Sequence, residues 1–442
     1  MENLGESLIH LIIARTDAKT AARVGCISNR WRSVASDDVV WSHFCVQDFA
    51  VFSRIDPAGS LCSSFKEAYE KWHAAFCMYP LSIVKRAKRC WETIRNWTSA
   101  HFPELADTLG HRASEGEIRN IEEKLGWQLP VPVRALYRFC NGQSIPHYRF
   151  SEDEQLAALG LLGGYRFYDQ EVNVHLLPLH QILKLTNQCV APLRLPGGSK
   201  YIVVAASSKA NKFFFLDCSD GQLYVGTANL VGQRQRNQLL PRERNQLIPC
   251  VSHALVNIIE QDAMLLWLEE YGRRLEAGMY SVHKEDSIRS ISLFPEKGPL
   301  CSKAVTKGVQ VRASAVFVPE LSNPQGDGYL FSYSIRMCLL PQESISQREM
   351  FSSCQLWKRH WIIRANGAII SEVNGEAVIG KYPLLHEGGD EFVYESCSPL
   401  PSSSGSIEGG FTFFPGRLRK PEGPEFTVQV APFPLEIPEY IF

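Results

Sequence analysis

At 442 residues the chain exceeds what one hydrophobic core supports and is expected to divide into about two to four domains. A hydrophobic content of 45%, a charged content of 21% and a net charge of -1 describe an ordinary globular protein with no global field for nucleic acid or an anionic membrane. No run approaches the roughly 18 apolar residues of a membrane span, and the start carries Glu2 and Glu6 rather than the basic residues of a signal peptide. The 13 cysteines are odd in number and scattered without a C-x-x-C pair, which reads as free thiols in a reducing compartment, cytoplasmic or nuclear. The 12 histidines form neither H-x-x-x-H nor H-E-x-x-H, so no metal, cofactor or catalytic constellation is expected.

Helical signals come first. Leu8, Ile9, Leu11, Ile12 and Ile13 form an apolar helix ended by Thr16 and Asp17. Ala21, Val24, Ile27 and Trp31 recur at three- and four-residue steps, the spacing of one helical face. Asp37 and Asp38 are placed to cap a third helix bearing Val40, Trp41 and Phe44. Three short helices cannot bury so many large apolar groups against one another, so part of this surface is expected to need a partner. The run V-x-C-I-S-x-x-W-R-x-x-A-x-D-D-x-x-W, from Val24 to Trp41, resembles the second half of an F-box, the module that docks the Skp-type adaptor of cullin–RING ubiquitin ligases. The resemblance implies adaptor contacts at Leu8, Ile12, Ile13, Val24, Ile27, Trp31 and Trp41, within a module covering residues 1–49. The plainer alternative is a three-helix cap over a neighbouring domain.

Residues 50–96 read as a helical connection. Ser64 and Glu67 make a capping pair ahead of Phe65, Ala68, Tyr69, Trp72 and Phe76. After Pro80 a second helix carries Val84, Ala87, Trp91 and Ile94. Its basic run Lys85–Arg89 reads as a solvated helix face in preference to a nuclear-import patch.

A second domain is expected over 97–275. Ser114 and Glu117 form a capping box, Ile118, Ile121 and Leu125 a stripe ended by Gly126, and Val133–Cys140 a short helix stopped by Asn141 and Gly142. Tyr201–Ala206, Lys212–Leu216 and Leu223–Val225 read as strands, and a long helix from about Ser252 to Leu275 closes the unit. The order I-x-x-I-E-x-x-L-G-x-x-L-P…L-Y-R-F-C-N-G resembles the SUKH superfamily, related to yeast cell-wall regulators of the Smi/Knr type, and implies an α+β protein-binding fold. The tandem octapeptides RQRNQLLP (234–241) and RERNQLIP (242–249) are expected to form a duplicated surface loop. They lack the interleaved aromatics of a nucleic-acid site.

From Gly278 the helical period gives way to alternation, as in Val309–Phe317 and Tyr329–Leu339, and predicts an antiparallel β-sandwich over 278–442. Leu356–Ile363, Val373–Gly380 and Pro399…Gly409 resemble an ApaG domain, which implies a fibronectin-type-III-like sandwich. The family loop usually reads G-x-G-x-x-G; here it is Gly375–Gly380 with Ala377 at the middle position. Arg359, His360, Gly375 and Gly380 are the candidate ligand or partner surface. The extra methyl of Ala377 and the lack of a following helix argue against a phosphate cradle.

The fold class is thus multidomain α+β: helical F-box, SUKH-like α+β domain and C-terminal ApaG-like sandwich. The implied function is the non-catalytic substrate receptor of an SCF ubiquitin ligase, partnered by a Skp-type adaptor, through it by cullin and RING subunits, and by a protein substrate. A phosphate- or nucleotide-binding protein using the ApaG-like loop is the alternative, and a scaffold is the third reading.

Overall fold

The computed structural model describes residues 5–144, 154–168, 170–190, 200–207, 212–227, 247–256, 259, 261–285, 287–323, 328–341 and 351–442. The octapeptide repeat lies outside them except for its last three residues. Among the described residues no helix is long and apolar enough to cross a membrane.

Four helices open the chain: α1 (Glu6–Ala14), α2 (Ala18–Val24), α3 (Asn29–Ala35) and α4 (Asp38–Phe49). Each of the last three starts where a short polar side chain satisfies an orphan amide. Asp17 accepts from the Thr20 amide at 2.7 Å, Ser28 from Trp31 at 3.4 Å, and Asp37 from Val39 at 2.9 Å. The Ser28 cap corrects the expectation of one continuous helix through Ile27. The chain turns at 25–27 and restarts, so Ala21 and Trp31 sit on different helices.

Then come α5 (Phe65–Phe76), α6 (Leu81–His101) and α7 (Pro103–Ala106). Rings touch without a break from the first helices into the middle of the protein: Trp41–Tyr69 edge-on at 5.3 Å, Tyr69–Phe49 and Phe49–Trp72 tilted at 5.4 and 5.7 Å, then Trp72–Phe76 and Phe76–Phe139 stacked at 5.5 and 4.8 Å. The α6 helix is more than a connection. Its Trp91 donates to the Leu136 carbonyl at 3.1 Å, and Arg86 pairs with Asp262 at 2.7 Å and Glu269 at 2.8 Å.

The middle unit holds α8 (Glu115–Leu125), α9 (Val131–Phe139), α10 (Glu154–Ala158), β1 (Gly164–Phe167), β2 (Gln170–Leu176), α11 (Leu179–Cys189), β3 (Tyr201–Ser207), β4 (Lys212–Asp217), β5 (Leu223–Thr227), β6 (Ile248–Pro249) and α12 (Ala263–Glu276). The Ser114–Glu117 capping box forms at α8, and Gly126 ends that helix at φ 83°. The closing helix is shorter than expected. Its start is lost because the Val251 segment pairs with the chain's end: the Ser252 amide donates to the Glu439 carbonyl at 3.1 Å, and that of Ile441 to Cys250 at 2.9 Å.

The hairpin β7 (Ser281–Glu285) and β8 (Ile288–Ser292) continues the middle sheet, in the order β6-β5-β4-β3-β2-β1-β8-β7, with β8 parallel to β1. This hairpin lies within the stretch that alternation had assigned to the sandwich. Next come β9 (Cys301–Thr306), β10 (Val309–Phe317), β11 (Tyr329–Leu339), β12 (Ser353–Ala365), β13 (Ala368–Glu376), β14 (Leu384–His386), β15 (Phe392–Leu400), β16 (Ser404–Arg417), β17 (Lys420–Pro421) and β18 (Phe426–Glu436). One antiparallel sheet runs β15-β11-β10-β9. The other runs β13-β12-β16-β17, with β14 on β12 and β18 on β16. Tyr333, Trp361, Phe411 and Phe433 meet edge-to-face or tilted between them, with centroids 5.2–6.5 Å apart.

Beyond β18 the chain returns to the middle unit. Phe442 packs on Trp267 at 5.7 Å and Tyr271 at 5.3 Å, under the Arg274 guanidinium at 5.1 Å, and Trp267 donates to the Ile441 carbonyl at 2.7 Å.

Candidate functional site

The seven residues proposed for adaptor contact separate by burial. Ile13, Trp31 and Trp41 are inside the helical module, and Trp41 donates its indole N–H to the Ala35 carbonyl at 2.7 Å. They form the core that shapes the surface. Val24 is partly buried against that core. Leu8, Ile12 and Ile27 are exposed at 51%, 44% and 66% of their surface, and Leu11 joins them at 59%. On α1, Leu8, Leu11 and Ile12 are neighbours at three- and four-residue steps, while Ile9 and Ile13 point inward. Leu11 was missing from the sequence-based set, although the same spacing places it on the outer face. His10 fixes α1 to the start of α4 through Asp37 at 2.9 Å. Asp37 is held below the usual carboxylate range by the Val39 amide and His10. The outcome is a helical core carrying aliphatic side chains in water.

The four candidates of the sandwich also divide. Arg359 and Gly375 face each other across β12 and β13. A Cβ at Gly375 would lie 3.1 Å from Arg359 Nη1, so glycine lets the guanidinium cross the strand. That nitrogen donates to the carbonyls of Glu376 at 3.0 Å and Ala377 at 2.7 Å. Arg359 therefore clamps the loop. His360, next along the strand, pairs with Glu372 at 2.8 Å in the open. Gly380 takes φ 73° at the loop's end. The amides of Ala377 and Val378 donate to the carbonyls of Trp357 and Lys381, both at 2.9 Å. Amides already bonded to protein are not offered to a phosphate, so the loop geometry does not favour the anion-binding alternative.

Two charged networks tie the sandwich to the middle sheet. Burial pushes Glu296 up most strongly, but a hydrogen bond from His283 and the nearby Arg336 and Arg312 outweigh it and hold its pKa at about 2. The fully buried Arg336 thereby has a charged partner. In the second network the buried Lys212 donates to the Tyr165 hydroxyl at 3.0 Å, and that hydroxyl meets both Glu320 oxygens at 2.7 and 2.9 Å. Both join elements of structure, and the second is buried throughout. Among the described residues no group of three or more His, Cys, Asp or Glu is placed to hold a metal ion.

Comparison with known proteins supplies the context. Residues 319–415 match the ApaG domain, and residues 112–233 match the SMI1/KNR4 family (SUKH-1). The F-box protein SKIP16 of Arabidopsis thaliana is 46% identical, covering 100% of both chains. F-box only protein 3 of Homo sapiens is 24% identical over 93% of this chain and 79% of its own. Protein ApaG of Anaeromyxobacter dehalogenans is 37% identical over 31% of this chain and 96% of its own. With full-length identity to an F-box protein and both additional domains matched, the chain belongs to the F-box proteins that carry an SMI1/KNR4-type domain and an ApaG domain.

Proposed function

We propose that the chain is the substrate-recognition subunit of an SCF-type ubiquitin ligase. The observation that carries this reading is the outer face of the N-terminal module, where Leu8, Leu11, Ile12 and Ile27 stand in water on a core held by Trp31 and Trp41. This face takes a Skp-type adaptor, which links the chain to cullin and RING subunits. The chain contributes no catalytic residue. It raises the local concentration of a protein substrate beside a loaded conjugating enzyme. The working units are residues 1–49 for the adaptor, 50–96 for the connection, and the middle and sandwich units for the substrate, with the 281–292 hairpin counted with the middle sheet. The setting is cytoplasmic or nuclear.

The test is reconstitution. Purified chain is mixed with cullin, with and without a Skp-type adaptor, and analysed by size exclusion. Co-elution with cullin only when the adaptor is present supports the proposal. Failure to bind the adaptor alone refutes it.

A further inference from the structure

Three arginines meet around Phe139, the last residue of α9. Arg95 comes from the second half of α6, and its Nη2 donates to the Phe139 carbonyl at 3.1 Å. Arg112 comes from the loop ahead of α8, and its Cζ lies 6.0 Å from the centre of the Phe139 ring. Arg138 lies 5.4 Å from the ring of Phe76, which stacks on Phe139 at 4.8 Å. Main-chain bonds lay the Arg112 loop along the end of α9. The Gly110 amide donates to the Gly142 carbonyl at 2.7 Å, that of Asn141 to His111 at 2.8 Å, and that of Ala113 to Tyr137 at 3.0 Å. Only glycine fits at 110, where a Cβ would stand 2.6 Å from the Asn141 carbonyl oxygen. Fixed backbone therefore brings Arg112 to the residue that already holds Arg95.

The charges of this cluster do not balance. Arg138 is taken up by structure: it donates to the carbonyls of Ala113 and, at 3.2 Å, Ala75, and its Nε stands 3.2 Å from Glu115. Arg95 and Arg112 are exposed, and among the described residues neither has a carboxylate partner. The acids nearby are engaged elsewhere. Glu92, one turn before Arg95 on α6, pairs with Lys88 at 2.7 Å. Asp56 lies 3.5 Å from Lys71 and accepts from the amides of Ala58 and Ser60, both at 2.9 Å. Glu115 is shared by Arg134 and Arg138 at 2.9 and 3.2 Å. Arg112 registers the surplus: desolvation first, then the charges of Arg95 and Arg138, push its pKa down, and only Asp56 acts against them.

Among the described residues the Arg112 guanidinium donates no hydrogen bond, so its N–H groups are open to an acceptor from outside. A guanidinium presents a planar fork that matches the two oxygens of a carboxylate. Arginine clusters of this kind read acidic segments of other proteins. Nucleic acid fits less well. The ring at the site, Phe139, is only 5% exposed, so a base cannot stack on it, and the whole chain carries a net charge of -1.

We propose that Arg95 and Arg112 form the docking point for an acidic segment of a partner protein, whose aspartate or glutamate side chains pair with the two guanidiniums beside Phe139. The site belongs to α6 and the loop ahead of α8, not to the exposed aliphatic face of the first helices or to the Arg359 loop. Naming that partner as the ubiquitination substrate rests on the receptor reading above; the docking point itself does not.

Fluorescence anisotropy of the full chain with a labelled peptide of alternating Asp and Glu tests it, against the same peptide with Asn and Gln and against a labelled oligothymidylate of equal length. Neither adaptor nor cullin is present, so the result is independent of the SCF role. Saturable binding of the acidic peptide, weakened by salt, is expected, with the neutral peptide left free. Arg95→Gln and Arg112→Gln should each weaken binding about threefold and together about tenfold. Their melting temperatures should be unchanged or higher, because like charges are removed. Arg417→Gln with Arg419→Gln, between β16 and β17, removes the same charge elsewhere and should bind like the parent. The proposal is overturned by no saturable binding of the acidic peptide, by equal binding of the neutral peptide or the oligothymidylate, by parental affinity in the Arg95 and Arg112 double variant, or by an equal loss in the Arg417 and Arg419 pair.

Discussion

Replacing Ile27 by aspartate should abolish adaptor binding without disturbing the fold. Ile27 keeps 66% of its surface in water. Fully burying an isoleucine side chain is worth about 1.5–3 kcal/mol, so covering the exposed part gains about 1–2 kcal/mol. An aspartate at the same place forfeits that gain and adds a desolvation cost of about 2–3 kcal/mol. The sum of about 3–5 kcal/mol weakens binding roughly 100- to 1,000-fold or more. The folding cost is small by comparison. Position 27 lies in the turn between α2 and α3, where its side chain touches little, and an acidic group just ahead of a helix start is favourable. Leu11→Asp on the outer face of α1 should act in the same way.

The contrast with Trp31→Ala makes the argument testable. Trp31 is buried, so its truncation costs about 3–5 kcal/mol of stability and reduces binding by unfolding the module. Adaptor affinity by isothermal titration and urea unfolding of the same preparations separate the two cases. The expected pattern is lost affinity at full stability for Ile27→Asp and Leu11→Asp, with loss of both for Trp31→Ala. Parental affinity in both aspartate variants would refute the interface.

Glu395 gives a pH signature: burial raises its pKa to about 7, with Glu285 adding to the shift and Arg166, His283 and Arg336 opposing it, while one carboxylate oxygen is enclosed without a partner. Because the folded pKa lies above the ordinary 4.5, the protonated group costs nothing below pH 4.5. The destabilisation grows as pH rises toward 7, to at most about 3 kcal/mol. Glu395→Gln should therefore raise the melting temperature at pH 8 and leave it unchanged at pH 4.5; an equal effect at both would contradict this. Trp72→Ala removes a buried ring packed between Phe49 and Phe76 and should cost about 3–5 kcal/mol in urea unfolding, and a cost under about 1 kcal/mol would show that these ring contacts are dispensable. A fragment of residues 278–442 leaves β8 without β1 and Phe442 without Trp267, so a 295–436 fragment should unfold more cooperatively and aggregate less; the reverse order in light scattering would argue against the seam as drawn.

Legibility in the sequence followed the range of the interaction that decides each feature. Caps are local, so Asp37 and the Ser114–Glu117 box were readable, as were the alternating strands β10 and β11. The break at Ser28 was also local but was masked by the continuing three- and four-residue period of Ala21, Val24, Ile27 and Trp31, which a turn preserves by coincidence. Burial separated Ile27 from Trp31, and neither residue type nor spacing announces which of two apolar neighbours faces water. The hairpin at 281–292 and the tail at 439–442 pair with β1 and with the Cys250 segment, contacts more than a hundred residues apart that leave no periodic trace. The role of Arg359 depended on the register that sets it opposite Gly375. Strands β1 and β2 carry little sequence signal, because β1 is only four residues long and β2 buries Asn173 and His175 along with its apolar residues, so alternation marks no wet face.

The long-range contacts also bear on how a receptor of this kind works. Bringing a substrate to a conjugating enzyme gains rate only if the distance and angle between the two docking faces are kept, since a loose tether spreads the substrate over a larger volume. The units of this chain are joined by packing, not by a linker. The rings from Trp41 to Phe139 carry the N-terminal helices into the middle unit without a gap. Arg86 then binds α6 to α12 through two carboxylates, and α12 in turn receives the chain's end on Trp267 and Tyr271. The sandwich is held from both of its ends, by Glu296 ahead of β9 and by the tail behind β18. If the proposed function holds, an adaptor at Ile27 and a substrate on the sandwich are joined through aromatic and charged contacts within this one chain, not through a linker.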